Sequence, residues 1–194
     1  MARPREFDRD TALKRAIEVF SAHGFEGTST PMLLEAMKIG RQSLYDTFGD
    51  KRSLYLESLS RYSEESTSGT ISRLFSEPSV AKGLRRSLYG FIDEAMADPA
   101  RACLGVHSVA EFGTSSAEVN AINAAMGDKT RRAVEARLRE GLERGEIARW
   151  VEPATGGGFF MATLVGLKIA ARGGAGADDL RRIADLALRA LVVE

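Results

Sequence analysis

The chain has 194 residues, of which 44% are hydrophobic and 28% are charged, and its 27 basic side chains balance 27 acidic ones. These values argue against an extensively disordered chain and predict enough apolar surface for one or two small domains. The N-terminal residues are charged from Arg3 onward, which argues against a secretory signal, and a single cysteine excludes an internal disulfide. We therefore expect a cytoplasmic protein with no membrane partner.

The first helix is predicted from Asp8, which can cap its N-terminus, to Gly24, which ends it. Its apolar residues recur at helical spacing, at Leu13, Ala16, Ile17 and Phe20. Before it, Arg3 and Arg5 form a short basic arm. Such an arm either enters the minor groove of DNA or remains solvated, and the sequence favours neither alternative.

Two short helices joined by a tight turn are predicted between residues 28 and 51. The first begins at hydroxyl residues that can cap its free N–H groups, and Pro31 in its first turn costs no hydrogen bond. The second, over about residues 41–48, buries Leu44 and Phe48. Its exposed face is polar and consists of Arg41, Gln42, Ser43 and Asp46. A short helix with this face, supported by a preceding helix, is typical of a helix-turn-helix that reads the DNA major groove.

Seven residues of this stretch have side chains that suit DNA. Hydroxyl, phenol and ammonium groups bind phosphates, whereas guanidinium and amide groups pair with the edges of guanine and adenine. The predicted DNA-binding residues are Thr28, Ser29, Arg41, Gln42, Ser43, Tyr45 and Lys51. Asp46 either favours cytosine or pairs within its own helix, and we favour the pair. Residues 1–62 hold ten basic side chains against nine acidic ones, so specific binding is expected to depend on dimerisation.

The same region resembles the DNA-binding domain of the TetR family of bacterial one-component transcriptional regulators. The resemblance covers roughly the first third of the chain and is carried by Ala16, Phe20, Gly24-Phe25, Thr28-Ser29, Ile39, Ser43-Leu44-Tyr45, Phe48 and Lys51. This sequence departs from the family at Lys38, Gly40 and Thr47, where members usually carry glycine, a capping hydroxyl and, often, histidine. Lys38 in a left-handed turn is expected to cost about 1 kcal/mol relative to glycine.

The rest of the chain predicts helices and no sheet. The helices are expected over about residues 51–75, 79–97, 102–112, 118–144, 155–171 and 178–193, with a break at Asp98-Pro99. In the helix over residues 118–144, one stripe is apolar, and the predicted solvated side carries Arg131, Arg132, Arg137, Arg139 and Arg144. The fold class is therefore all-α. It comprises a three-helix DNA-binding domain over residues 1–50 and a helical domain over residues 51–194, joined without a flexible linker.

The last two predicted helices favour a dimer interface. Residues 155–171 are apolar almost all round, yet too short and glycine-rich to span a bilayer. Gly156-Gly157-Gly158 lacks the spacing and the lysine of a phosphate-binding loop. We expect the antiparallel pair over about residues 155–193 to form a four-helix interface in a homodimer, and burial within one subunit is the alternative.

One cluster suggests reactivity, since Cys103, His107 and Glu111 recur at four-residue steps on one helical face. The thiol near a helix N-terminus suits a sensor of oxidants or electrophiles. Three ligands without a fourth make a weaker case for zinc. The remaining alternative, which we favour, is a small buried residue beside an incidental histidine.

The resemblance implies a dimeric repressor that binds palindromic double-stranded operator DNA and is released by a small-molecule effector in the C-terminal domain. Candidate pocket residues are apolar, amphipathic or reactive: Phe91, Met96, Cys103, His107, Phe112 and Met161. The alternatives are a regulator that senses thiol-reactive compounds through Cys103, an all-helical thiol-dependent enzyme, and a helical adaptor without DNA binding. We expect no catalytic site, metal or cofactor.

Overall fold

The computed structural model describes residues 7–97 and 103–193. Within these residues the chain forms helices and no strand, and one isolated antiparallel bridge joins Ile147 to Val192. The helices are α1 (Arg9–His23), α2 (Thr30–Met37), α3 (Arg41–Phe48), α4 (Lys51–Phe75), α5 (Val80–Ala97), α6 (Leu104–Phe112), α7 (Ala117–Glu143), α8 (Pro153–Arg172) and α9 (Ala177–Arg189). The all-α prediction is confirmed, and most predicted helix ends lie within two residues of the observed ones. The predicted break at Asp98-Pro99 lies outside the described residues.

The chain divides into two compact units, each of which is formed by two separate stretches of the sequence. The first comprises Met1–Ser63 and Ala100–Asn123, and the second comprises Glu64–Pro99 and Ala124–Glu194. The division therefore falls within the continuous helices α4 and α7. The functional domain boundary at residues 50 and 51 is a different division of the chain, and it stays a prediction.

The core of the first unit is built on α1, whose apolar stripe is buried as the spacing predicts. Its members include Ala12, Leu13, Ala16, Ile17, Phe20, Leu33, Met37, Leu44, Phe48, Leu54, Tyr55 and Leu59. An aromatic group lies at one end, where the ring centroid of Tyr55 is 5.1 Å from those of Phe20 and Phe25 and 5.6 Å from that of Phe112. Residues far apart in sequence are thus packed around one tyrosine of α4.

Side-chain caps begin three helices of the first unit, α1, α2 and α4. Asp8 accepts hydrogen bonds from the N–H groups of residues 10 and 11, and Ser29 accepts one from Met32 at 3.4 Å. Asp50 accepts the N–H of Ser53 at 2.7 Å, in the first turn of α4. Each cap pairs an N–H that has no partner inside its own helix.

The turn between α2 and α3 is closed by a lysine in the left-handed conformation. Lys38 has φ 56° and ψ 46°, and it is the one described non-glycine residue with a positive φ. The N–H of Ile39 donates to the carbonyl of Leu34 at 3.2 Å, which completes a Schellman-type end to α2. Gly40 then precedes α3 and supplies no side-chain cap. The predicted strain at Lys38 is therefore present.

The second unit packs α5, α8 and α9 around an apolar core, together with parts of α4 and α7. Its buried residues include Leu74, Leu84, Leu88, Ile92, Val134, Leu138, Phe160, Leu164, Leu167, Leu180, Ala184 and Leu188. By length and composition alone α8 could cross a membrane, but core helices of globular proteins pass the same test. Phe160, Leu164 and Leu167 of α8 are buried in this core, so one side of the helix is already covered by the chain itself.

Two expectations about the second unit were wrong. Arg137 was expected to be solvated but is only 4% exposed, because its guanidinium donates to the carbonyl of Glu77 at 2.8 Å and to Glu140. The last helix ends at Arg189 and not near residue 193. The chain beyond it runs alongside the segment after α7, where the N–H of Val193 donates to the carbonyl of Glu146 at 3.0 Å.

The cap at Asp50 predicts a pH dependence of stability. Hydrogen bonds from the N–H and hydroxyl of Ser53 hold the pKa of the Asp50 carboxyl below its usual value. A carboxyl whose folded pKa is depressed stabilises the fold above its unfolded pKa, and this contribution is lost as the pH falls through the folded pKa. Asp50→Asn keeps a capping oxygen that does not titrate. We expect the Tm of the wild type to fall more steeply than that of Asp50→Asn in thermal melts below about pH 4.

Asp50→Ala is the matched control, because it removes the cap at every pH. Its Tm should lie below that of the wild type at pH 7, and the difference should shrink on acidification. Parallel pH profiles for the wild type and Asp50→Asn would contradict this account of the cap.

The turn at Lys38 predicts a stabilising substitution. Lys38→Gly removes the Cβ that is crowded in the left-handed conformation, so we expect the free energy of unfolding to rise by up to about 1 kcal/mol. Urea unfolding should show a higher midpoint with an unchanged m-value. Lys38→Ala, which removes the charge but keeps the Cβ, should show no gain, and a lower midpoint for Lys38→Gly would disprove the strain.

Candidate nucleic-acid interface

The face of α3 that points away from the core is polar. Leu44 and Phe48 are 1% and 5% exposed and hold the helix against the first unit. On the opposite side Arg41 and Gln42 are exposed and Ser43 is half-buried. This arrangement presents a guanidinium, an amide and a hydroxyl at the N-terminal end of the helix, which are groups that can pair with base edges.

Gln42 and Asp46 are joined across one turn of α3. The side-chain amide of Gln42 donates to a carboxylate oxygen of Asp46 at 2.8 Å. The interpretation of Asp46 as a member of an intrahelical pair is confirmed. One N–H and the carbonyl oxygen of the Gln42 amide remain available, and these are the two groups that an adenine edge requires.

The predicted phosphate-binding hydroxyls differ in accessibility. Ser29 is exposed at the N-terminus of α2 and caps that helix. Thr28 is only 1% exposed, and its hydroxyl donates to the carbonyl of Gly24 at 2.6 Å. In this geometry the Thr28 hydroxyl is engaged by the chain's own turn. A contact between Thr28 and DNA stays a prediction that its placement does not favour.

Tyr45 and Lys51 lie near the end of α3 and the start of α4. The Tyr45 side chain is 45% exposed, which leaves its phenol open to solvent. Lys51 is half-buried, and its ammonium nitrogen lies 4.3 Å from the centroid of the Phe25 ring. Both groups are of types that bind phosphate oxygens, and a contact between either of them and DNA stays a prediction.

Basic side chains of the first unit are divided between internal pairs and open positions. Arg9 is bound to Glu57 at 2.7 Å, and Arg52 is bound to Glu118. Within residues 7–97 and 103–193, no carboxylate lies within ion-pair distance of Lys38, Arg41 or Lys51. These three charges therefore remain for an external anion. The predicted arm at Arg3 and Arg5 lies outside the described residues.

The six candidate effector-binding residues are divided between the two units. Phe91, Met96 and Met161 belong to the second unit and are half-buried. Cys103, His107 and Phe112 belong to the first unit and are also half-buried. Phe112 has a role in packing, since its ring lies 5.6 Å from those of Phe25 and Tyr55. An effector contact by any of these residues stays a prediction.

The Cys103, His107 and Glu111 series does not form a metal site in the described part of the chain, where no suitable group of three such residues occurs. Cys103 is a free cysteine that precedes the first turn of α6. Glu111 has protein partners of its own. Its carboxylate accepts the N–H groups of Phe25 at 2.8 Å and Glu26 at 3.3 Å. Sequence reasoning did not predict these partners of Glu111, because its spacing along α6 gave no sign of the turn after α1.

Comparison with known proteins agrees with this geometry. A family model described as bacterial regulatory proteins, tetR family, matches residues 12–58. A cysteine mutant of the TetR family transcriptional regulator CifR, complexed with 26 bp double-strand operator DNA, has a similar structure, with a TM-score of 0.83 at 31% identity. That match covers 98% of this chain and 100% of the CifR chain.

Two curated relatives have less complete or more distant matches. The uncharacterized HTH-type transcriptional regulator YezE of Bacillus subtilis (strain 168) is 42% identical over 113 residues, which cover 57% of this chain and 58% of that protein. The HTH-type transcriptional repressor ComR of Escherichia coli (strain K12) is 27% identical over 189 residues, which cover 96% of this chain and 90% of ComR. A thiol-dependent enzyme is therefore not supported. The chain belongs to the TetR family of bacterial transcriptional regulators.

Proposed function

We propose that the protein is a dimeric transcriptional repressor, acting in the cytoplasm, that binds a palindromic operator through α3. The observation that carries the proposal is the outer face of α3. This face combines Arg41, Gln42 and Ser43 with an exposed Tyr45. The opposite face of the helix is buried and apolar. CifR is a relative complexed with operator DNA, and ComR is named a repressor, which favours the same activity here.

The side chains divide into two roles in this proposal. Arg41, Gln42 and Ser43 face the base edges, with Arg41 suited to guanine and Gln42 to adenine. Tyr45, Lys51 and residues at the start of α2 bind phosphates on either side of the groove. Because residues 1–62 carry only one more basic side chain than acidic ones, one copy of α3 gives modest affinity. A dimer doubles the set of contacts and supplies the two-fold symmetry that a palindrome requires.

The dimer is proposed to form through α8 and α9. Their outward faces carry large apolar side chains that the chain itself leaves exposed: Phe159, Val165, Ile169, Ile183 and Leu186. Leu186 is 70% exposed, on a helix whose opposite side is buried in the core. Apolar residues grouped on two adjacent helices mark a surface that associates, and a two-fold axis would pack the same pair from a second copy against it.

Release from DNA is proposed to follow the binding of a small-molecule effector in the C-terminal domain. The effector must prefer the conformation that does not bind DNA, and a 100-fold loss of DNA affinity needs about 2.7 kcal/mol of coupling. A regulator that responds through Cys103 is the second candidate. Its support is the position of the half-buried, free thiol at the N-terminus of α6.

DNA binding can be measured by fluorescence anisotropy with DNA from upstream of the protein's own coding region and a shuffled duplex as reference. We expect discrimination of about 4 kcal/mol or more at physiological salt, falling off with salt concentration. Lys51→Ala should weaken binding to all sequences and reduce the salt slope by about one. Arg41→Ala should cost about 1 to 3 kcal/mol, mainly for the specific duplex.

Arg132→Ala is the matched control, since it removes an exposed guanidinium from α7. Its affinities should equal those of the wild type. If Arg41→Ala and Lys51→Ala also bind like the wild type, α3 is not the reading helix.

The dimer interface predicts that Leu186→Glu dissociates the protein without unfolding it. The residue is too exposed to support the fold of one chain, whereas a carboxylate buried between two copies would be strongly unfavourable. Light scattering after gel filtration should give twice the chain mass of 21.0 kDa for the wild type and the single mass for the variant. Val109→Glu, at an exposed valine of α6, should remain dimeric. A dimeric Leu186→Glu variant would place the interface elsewhere.

A further inference from the structure

We infer that Glu111 is a positioning residue for DNA binding: through the turn after α1 and the ring of Phe25, it sets the location of the Lys51 ammonium. The inference rests on the proposed function, because it assigns to a residue of α6 a part in holding a phosphate-binding group. All of the residues involved belong to the first compact unit.

Two hydrogen bonds join α6 to the turn after α1. Gly24 has φ 71° and ends α1, and the next two N–H groups, of Phe25 and Glu26, both donate to the Glu111 carboxylate. Successive N–H groups around a residue of positive φ form a concave site for an anion, and a carboxylate makes stronger bonds there than a neutral acceptor. Glu111 therefore holds the backbone on which Phe25 is mounted.

The close approach of Glu111 depends on the absence of a side chain at position 24. A Cβ built on Gly24 would lie 2.3 Å from a carboxylate oxygen of Glu111, which is far inside contact distance. The Thr28 hydroxyl donates to the carbonyl of the same glycine at 2.6 Å. The turn is thus fixed on one side by Glu111 and on the other by Thr28.

The Phe25 ring packs against two other aromatic rings. Its centroid lies 5.1 Å from that of Tyr55 and 5.6 Å from that of Phe112, the residue next to Glu111. Burial raises the pKa of the Tyr55 hydroxyl, and the negative charge of Glu111 raises it further, as expected for a carboxylate close to this group. The last two residues of α6 therefore restrain both the backbone and the ring of Phe25.

Phe25 also contacts Lys51, which belongs to the proposed DNA-binding surface. The Lys51 ammonium lies over the Phe25 ring, 4.3 Å from its centroid, in the geometry of a cation–π interaction. Lys51 begins α4 three residues after α3 ends at Phe48. A displacement of Phe25 would release this ammonium from its place beside the reading helix.

The sign of the effect separates positioning from simple electrostatics. Removing a carboxylate from a DNA-binding unit lowers its repulsion of phosphates, so electrostatics alone predicts tighter binding. Positioning predicts weaker binding and a smaller salt slope, because the Lys51 contact is lost. A variant that merely reduces the folded fraction would change the active concentration and leave the salt slope unchanged.

The experiment is a thermodynamic cycle on the full-length protein, measured by anisotropy on its specific duplex over a salt series. Glu111→Ala should weaken binding by about threefold to tenfold and lower the salt slope toward that of Lys51→Ala. Glu111→Gln, which keeps one acceptor oxygen, should have a smaller effect. Adding Glu111→Ala to Lys51→Ala should change the DNA affinity and the salt slope little, because the effects of substitutions at coupled residues are not additive.

Two further variants separate the effect of the Phe25 ring from the effect of removing a negative charge. Phe25→Leu keeps an apolar side chain but no aromatic ring, and it should reproduce the loss of salt slope while leaving the carboxylate in place. Glu18→Gln removes a negative charge from an exposed position of α1 and should bind at least as well as the wild type. Thermal melts should show each variant folded at the temperature of measurement.

Additive effects of Glu111→Ala and Lys51→Ala would overturn the inference, as would wild-type affinity with a full salt slope in Glu111→Ala. In both results the proposed function stands, provided that the wild type discriminates and Lys51→Ala weakens binding. A wild-type protein that binds specific and shuffled DNA equally would overturn the inference together with the proposed function.

Discussion

The burial of Leu44 and Phe48 beneath α3 is the constraint on which the rest of the proposed activity depends. Two apolar side chains four residues apart fix the rotation of an eight-residue helix about its own axis, so Arg41 and Gln42 cannot turn inward without exposing them. So short a helix would not be stable alone, and its packing against the first unit maintains it. The strained turn at Lys38 and the cap at Asp50 then set where α3 begins and where the chain continues.

The two compact units differ in which of their surfaces are apolar. In α3 the apolar residues Leu44 and Phe48 are buried in the core, and the polar face is exposed to solvent. On α8 and α9 the core takes only one side of each helix, and residues such as Ile169 and Leu186 remain exposed. A polar face whose Arg41 has no ion-pair partner among the described residues suits a charged ligand such as DNA, and an apolar face suits a second copy of the chain. The proposed repressor combines these two surfaces in one polypeptide.

Local features could be predicted from the sequence because their causes lie within a few residues. The caps at Asp8 and Asp50, the left-handed Lys38 and the helix periods all depend on neighbours in the chain. The contacts of Arg137 and Glu111 could not be predicted, because their partners are 60 and 86 residues away. An arginine or glutamate on a helix is usually solvated, and only the packed fold shows which backbone groups lie beside it. The side-chain types of the reading face were likewise visible in sequence, whereas the burial of Thr28 was not.

The proposed dimeric DNA binding is tested most directly by a selection of DNA from a random-sequence library by the purified protein, followed by sequencing of the retained duplexes. A dimeric repressor that reads DNA through α3 should enrich a two-fold symmetric motif whose half-sites lie one helical turn apart or a multiple of that distance. The same selection with Arg41→Ala should lose preference at one base pair in each half-site. Retention of duplexes without any enriched motif, or of a motif without two-fold symmetry, would contradict a dimeric reader of palindromic DNA.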